Sequence, residues 1–535
     1  MSKNLQNSKK LQRSYNTDNA LVNYYLLLMF TAFPLFATNA YFHIRRDKFY
    51  FFIALTGVII IAVSAIMVYS YYSQNNKSTS KDTIFKSLFG KMSFTDYAVL
   101  AFLAVCIISA MLSNHTSDAL FGAPNGRNNG LVLMIFYVGI YFVTTRCYYY
   151  MEYVFVALAA GSAVVYLLSV LNFHYIDPLG MYTQLSSSDI ENFTSTIGNK
   201  NLLSSFICVM LPVTVTMSVH SKKHIFRIIY LASSGLGFMA LMTADSDSGI
   251  LGMGVIFAVI LVWYSRKIFR LKRYFLCLTV MLVSAKILYF FSSILTLVFD
   301  FKTKGLDEFQ KIFVESDIGY LFAIFAAVIT GILYLIDHKK PDLTLSKAVP
   351  VTLGTIFVLA AIAIISVVIY FSVFDTTTDL GGLETILRFN EKWGTHRGFM
   401  WIKSFDIFKN FNPLQKLFGT GPDTFFYAFA PFFSELRSYG DSSTNAAHNE
   451  YINYLITIGV TGLASYICVI AGTIARAVKK SFCNPLSIVC ASAVICYAVQ
   501  SVVNIAQPIT TPLFILFIAL TETVSRKNAE NSDLI

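Results

Sequence analysis

The chain has 535 residues, 56% of them hydrophobic, 15% aromatic and only 13% charged, with a formal net charge of +11 and a mean hydropathy of +0.60. Soluble domains carry about a quarter charged residues, so a soluble enzyme is excluded. The Lys and Arg residues sit in short clusters between apolar blocks, which marks membrane topology and excludes a nucleic-acid surface.

Apolar blocks of roughly 17–25 residues cross about 30 Å of hydrocarbon. They predict an all-α polytopic transmembrane bundle of about fourteen spans, with one large, partly helical external loop. In chain order the blocks are 22–42, 50–72, 95–113, 130–145, 149–171, 201–219, 226–243, 249–264, 274–298, 319–336, 349–373, 451–473, 485–503 and 509–525. An even number puts both termini on one side, and 25 of the 41 Lys and Arg residues fall on that side. Positive charge is retained in the cytoplasm, so both tails are expected there. Lys222, Lys223 and Arg227, then Arg266, Lys267, Arg270, Lys272 and Arg273, then Lys339 and Lys340 carry this bias. One loop dissents, with Arg45, Arg46 and Lys48 outside, and Lys286 falls within a span. An intramembrane charge is a functional hypothesis by default. Lys3, Lys9, Lys10 and Arg13 precede an apolar stretch too long for a secretory signal, which reads as a retained first span. The eight cysteines show no CxxC spacing, so neither a disulfide framework nor a zinc site is expected, and no cofactor is called for.

The organisation that follows is an N-terminal tail and first spans (1–120), a central core (121–373) with two possible surplus spans at 274–336, the external loop (374–448), three last spans (449–525) and a tail (526–535). The loop is about 75 residues long and rich in Phe, Trp and Tyr; loops of that length carry function or are disordered, and this composition argues against disorder. Within it Arg397, Met400, Trp401, Phe405 and Phe408 recur at helical spacing opposite Lys403, Asp406 and Lys409. The pattern predicts an amphipathic helix at the membrane surface, or a packing helix over the bundle. Gly419 and Gly421, in Phe418-Gly-Thr-Gly-Pro-Asp423, permit a turn with close backbone approach.

The loop ends in Asn445-Ala-Ala-His448-Asn449-Glu450-Tyr451, directly before an apolar helix. A helix N-terminus disfavours imidazolium, so His448 is expected to be neutral and able to accept a proton. A helix-end histidine is also a common bland interfacial residue, and context must separate the two readings. By the same topology Arg127, in Pro124-Asn-Gly-Arg127-Asn-Asn-Gly130-Leu131, and Gly198-Asn199-Lys200-Asn201 share the face of His448 and Arg397. Guanidinium forks grip diphosphate oxygens bidentately, and a helix start with Lys200 beside it can hold phosphate. The bland alternative for Arg127 and Lys200 is snorkelling to lipid headgroups.

Arg397-Gly-Phe-Met-Trp401, Gly419-Thr-Gly421, Ala447-His448-Asn449-Glu450-Tyr451 and Gly459-Val-Thr-Gly462-Leu463 together resemble the signature region of the O-antigen ligase and polymerase superfamily. Arg127-Asn-Asn-Gly130-Leu131 and Gly198-Asn199-Lys-Asn201 resemble two further stretches of it in the same order, so that the likeness runs over roughly 120–510. The resemblance implies a bacterial cytoplasmic-membrane enzyme that, without metal, moves a glycan with inversion from undecaprenyl pyrophosphate to an acceptor hydroxyl on the external face. It implies His448 as the base and Arg397 as a diphosphate clamp, with Arg127, Asn199, Lys200 and Asn201 as supporting donors, Asn449 or Glu450 orienting the imidazole, and Trp401 anchoring the loop helix. The expected partners are the carrier-linked oligosaccharide, a saccharide, lipid or protein acceptor, and the bilayer. One departure stands out. The family often carries an arginine in a Ser-Arg-Ser/Gly stretch after the seventh span, where this chain reads Thr243-Ala-Asp245-Ser-Asp247-Ser-Gly249, so another basic residue, Arg127 or Lys200, is expected to substitute, or Asp245 and Asp247 contact sugar hydroxyls. The competing classes are a transporter or flippase of lipid-linked saccharides, for which Lys286 is the motivating residue, and a non-catalytic envelope scaffold. Protein O-oligosaccharyl transfer is a variant within the transferase class.

Overall fold

The computed structural model describes residues 17–38, 42–74, 92–124, 126–481 and 484–526, with backbone only for 70–74. The basic N-terminal tail, Asn125, Cys483 and the C-terminal tail lie outside the described residues. The described chain is helical without strands, apart from an isolated bridge between Lys267 and Thr344. Eleven helices are long and apolar enough to cross a membrane, from Ile44–Tyr69 to Leu486–Val503. The other three predicted blocks coincide with shorter helices at 17–30, Leu131–Cys147 and Thr511–Arg526. The all-helical membrane bundle is as expected, and a total of about fourteen is compatible with it.

Lys200–His220 is the axis of the bundle. It is apolar on every side, and every residue from Leu203 to His220 is buried, as such a helix must be in a protein core. Glu152–Phe173, His224–Thr243, Asp247–Tyr264 and Leu486–Gln500 surround it. One end of the bundle is closed by charge. Buried Asp96 accepts from Tyr141 at 2.8 Å and pairs with Arg146 at 3.2 Å and with Arg526. Glu522 meets Arg476 at 3.1 Å and Arg526 at 2.8 Å. This network joins four helices, and loss of one partner from such a buried cluster costs about 3–5 kcal/mol.

Ile268–Phe299 and Asp317–Lys339 pair as a peripheral hairpin, and Ala348–Ile369 buries no residue at all, as suits a lipid-facing helix. Lys286 is a structural residue. Its ammonium donates to the carbonyls of Val314 at 3.0 Å and Ser316 at 2.6 Å and lies over the Tyr320 ring, capping the C-terminal end of the short helix Glu308–Val314.

The long connection folds around its own small core of Phe399, Met400, Ile407, Phe425, Phe429, Leu436 and Ala447, continued by Ile452 and Ile456 of the following helix. The predicted amphipathic helix is present as Trp393–Asn410, but its buried face is Gly398, Phe399, Met400, Ser404 and Ile407, and Phe405 is 46% exposed. Packing onto the loop's own core, rather than lying on lipid, turns the helix away from the expected stripe. The turn is set by left-handed backbone at Gly394, Thr395 and His396 and by Gly398, where a Cβ would lie 1.8 Å from the Asn390 carbonyl oxygen.

A crossing of two backbones fixes this loop to the bundle. The helix Glu450–Lys480 breaks at Gly459, φ 71°, and the carbonyls of Ile456 and Thr457 accept instead from the N–H groups of Thr420 at 3.1 Å and Gly421 at 2.8 Å. A Cβ on Gly419 would meet the Thr457 carbonyl carbon at 2.3 Å, and one on Gly459 the Leu417 carbonyl oxygen at 2.3 Å. Left-handed strain at a non-glycine residue costs about 1–3 kcal/mol before any clash. Gly419→Ala and Gly459→Ala should each lower the melting temperature by several degrees, about 2–4 °C per kcal/mol in a chain of this size or less. Gly305→Ala, where nothing lies within 4 Å, should not, and equal melting of all three would refute the crossing.

Candidate active site

His448 occupies the last turn of chain before the helix Glu450–Lys480, with φ 50°. A non-glycine residue in that region is held there by its surroundings. Here the Trp401 indole donates to the Ala447 carbonyl at 3.1 Å, the Ala447 N–H donates to Asn453 at 3.3 Å, and the Asn449 side chain caps the helix by accepting from the Ile452 N–H at 3.0 Å. Trp401 is therefore a support for the His448 backbone.

Two cavities meet at the imidazole. One, of about 370 Å³, is lined by Arg45, Arg46, Arg127, Asn199, Asn201, Asn504 and Gln507 together with apolar groups such as Phe42, Ile44 and Leu202. The other, of about 320 Å³, is lined by polar chain at Gly126, Ser443, Thr444 and Asn445, with Pro124 and Phe426. Arg45, Arg127 and His448 belong to both.

Asp423 sets the position of Arg127. Its carboxylate accepts from the Arg127 N–H at 2.9 and 3.0 Å and from the Ala123 N–H at 3.1 Å. Gly126 leaves the room for it, since a Cβ there would lie 2.3 Å from the Asp423 oxygen. Burial nevertheless pushes the Asp423 carboxyl up to about 6. The Arg127 Nε is buried and has no partner among the described residues, and burial followed by the charge of Arg45 draws the guanidinium's pKa down to about 10. His448 is drawn down to about 3, first by burial and then by the charges of Arg127 and Arg397. Desolvation and guanidinium charge thus both favour the neutral ring. Burial also lowers Arg397, whose charge is opposed by Asp247.

The expected residues divide. His448, Arg127, Asn199 and Asn201 line the cavities, and Arg397 acts on His448 from the same end of the bundle. Asn199 caps its helix through the Asn201 N–H at 2.9 Å. Lys200 turns away to Asp245 at 3.2 Å, which also accepts from the Asp307 N–H, so neither lysine nor aspartate is a cavity-lining group. Glu450 accepts from Tyr466 at 2.5 Å and Tyr497 at 3.0 Å inside the bundle. With Asn449 spent on the cap, neither residue bonds to the imidazole. The close approach allowed by Gly419 and Gly421 is to the chain's own backbone and to Ser113. Sequence reasoning missed Arg45, Arg46, Asn504 and Gln507 as cavity residues. The signal for the first two was the single loop that broke the charge rule. Its third cation, Lys48, caps the first helical segment through the carbonyls of Phe33, Pro34 and Phe36 at 2.8–3.0 Å.

Residues 312–467 match the family model described as O-antigen ligase. This segment is similar to O-antigen ligases. It contains Arg397, Trp401, Gly419, Gly421, His448, Asn449 and Glu450, and it begins within the stretch 274–336, where surplus spans were expected. The match is narrower than the likeness read over 120–510, and Arg127 and Asn199–Asn201 lie upstream of it. No curated protein matches the chain. With eleven helices long and apolar enough to cross a membrane, the chain is a membrane protein that carries a segment similar to O-antigen ligases. The Asp423 latch joins the domain to the upstream arginine. Asp423→Ala would leave buried N–H donors without an acceptor, at about 1–3 kcal/mol each. It should lower the melting temperature and open the segment 113–130 to proteolysis, whereas unchanged protection of that segment would contradict the latch.

Proposed function

We propose that the protein is an integral-membrane inverting glycosyltransferase that moves a glycan from undecaprenyl pyrophosphate to an acceptor hydroxyl at the external membrane face. The observation that carries the proposal is the position of one neutral imidazole where two cavities meet, with Arg45, Arg127 and Arg397 around it. The larger cavity, with arginines, amides and an apolar side, suits the diphosphate and the first carbons of its lipid. The smaller polar one suits saccharide hydroxyls. The acceptor hydroxyl attacks the anomeric carbon from the face opposite the diphosphate. The anomeric C–O bond breaks, its electron pair stays on the departing diphosphate, and the hydroxyl proton passes to the His448 ring. Diphosphate is a good leaving group, so the arginines stabilise its growing charge and the histidine removes one proton.

Arg45 takes the place left by the aspartate that stands where relatives carry an arginine. Arg45 lines both cavities, while Lys200 is committed to Asp245. The external face follows from the charge bias of the loops at the opposite end. Transport has less support, because Lys286 is bound to backbone carbonyls.

The test is transfer by purified protein from a carrier-linked oligosaccharide. His448→Ala should lower kcat by about 10²–10⁴-fold, the usual weight of general-base catalysis, while donor binding persists. Arg45→Lys should weaken donor binding and lower turnover together, because ammonium lacks the bidentate fork. Full turnover by His448→Ala, or translocation of donor without glycosidic product, would overturn the transferase reading.

A further inference from the structure

At the end of the bundle opposite the two cavities, a lateral cleft of about 380 Å³ opens between the helices His224–Thr243, Ile268–Phe299 and Asp317–Lys339. Its walls carry the cations Arg227, Lys272 and Arg273 and the apolar side chains Ile228, Leu231 and Leu276. Two of the three cations already have partners. Lys272 pairs with Asp337, and one Arg273 nitrogen donates to the carbonyls of Val219 at 2.7 Å and Ser221 at 3.2 Å, closing the C-terminal end of the axial helix. Arg227 is half-buried, and its guanidinium has neither a hydrogen bond nor an ion pair with any described residue. Its charge acts on Arg273 across the cleft, and Asp337 is the opposing carboxylate. The cleft thus joins an excess of positive charge to an apolar trough open to the side of the bundle, where Ile225 and Ile228 are 60% and 46% exposed.

We propose that this cleft holds one anionic phospholipid of the adjoining leaflet, its phosphate between Arg227 and Arg273 and an acyl chain along Ile228, Leu231 and Leu276. Basic pockets between spanning helices on the cytoplasmic side take such headgroups. A zwitterionic lipid brings its own cation against the two guanidiniums, and a free phosphate leaves the apolar walls uncovered. The inference stands apart from the glycosyl-transfer reading, because residues 218–276 contribute nothing to either cavity at His448.

Native mass spectrometry of the full-length protein, titrated separately with phosphatidylglycerol, phosphatidylcholine and inorganic phosphate, tests it. One phosphatidylglycerol per chain should be retained in preference to phosphatidylcholine, and inorganic phosphate should not displace it at equal concentration. Arg227→Gln should weaken phosphatidylglycerol binding about fivefold, the weight of one interfacial cation, and Arg227→Lys should recover most of it. Leu231→Trp, which fills the trough and keeps every charge, should also weaken binding at an unchanged melting temperature. Equal retention of the two lipids, displacement by phosphate, or wild-type affinity in both Arg227→Gln and Leu231→Trp would overturn the proposal.

Discussion

The arrangement rests on like charges held together out of water. Arg45 and Arg127 share the walls of two cavities, Arg397 acts on the same imidazole, and burial already depresses Arg127 and Arg397. Guanidiniums so placed repel one another and lack their full hydration, a state that proteins maintain only where surrounding structure dictates it. Here the surroundings are specific. Asp423 fixes the backbone beside Arg127, and the left-handed residues Asn128, Asp423 and His448 shape the chain around the site. The resulting field opposes protonation of His448.

The rest of the fold makes that strain tolerable. Carboxylates paired with arginines close the far end of the bundle at Asp96 and Glu522, and the axial helix Lys200–His220 is packed on all sides. The site end is built differently, from short connections anchored by single contacts. Lys48 caps one helical end, the Gly419–Gly421 turn takes the carbonyls released at Gly459, and Trp401 holds Ala447. Rigid helices thus carry a polar rim whose side chains come from widely separated stretches, at residues 45, 127, 199, 397, 423, 448 and 504. Groups held in this way need not reorganise when charge develops beside them.

Much of this was legible in the sequence. Apolar block length marked the helices, since a bilayer imposes a minimum length on any crossing helix, and motif order singled out His448 and Arg397. What the sequence hid were choices made by tertiary packing. The helix Trp393–Asn410 turns its face according to the kink at Gly394–His396, which periodicity does not encode. Lys200 and Glu450 carry suitable chemistry but have nearer partners, Asp245 and a pair of tyrosines. Arg45 was visible only as an exception to the loop-charge bias. A cation that lines a polar cavity is exempt from that bias for a physical reason, because it faces protein and ligand rather than the headgroups that the bias reflects.

In the proposed reaction, bound diphosphate turns an over-desolvated, poorly basic imidazole into a competent base. Isotope-edited NMR of the His448 ring, titrated against pH with and without an unreactive polyprenyl diphosphate, measures this directly. Without ligand the ring should stay neutral down to about pH 3. With ligand bound, the anion offsets the guanidiniums and the midpoint should move up toward the value of about 6.5 of a free imidazole. A midpoint near that of free imidazole in both states, or one that the diphosphate leaves in place, would contradict the coupling on which the mechanism rests.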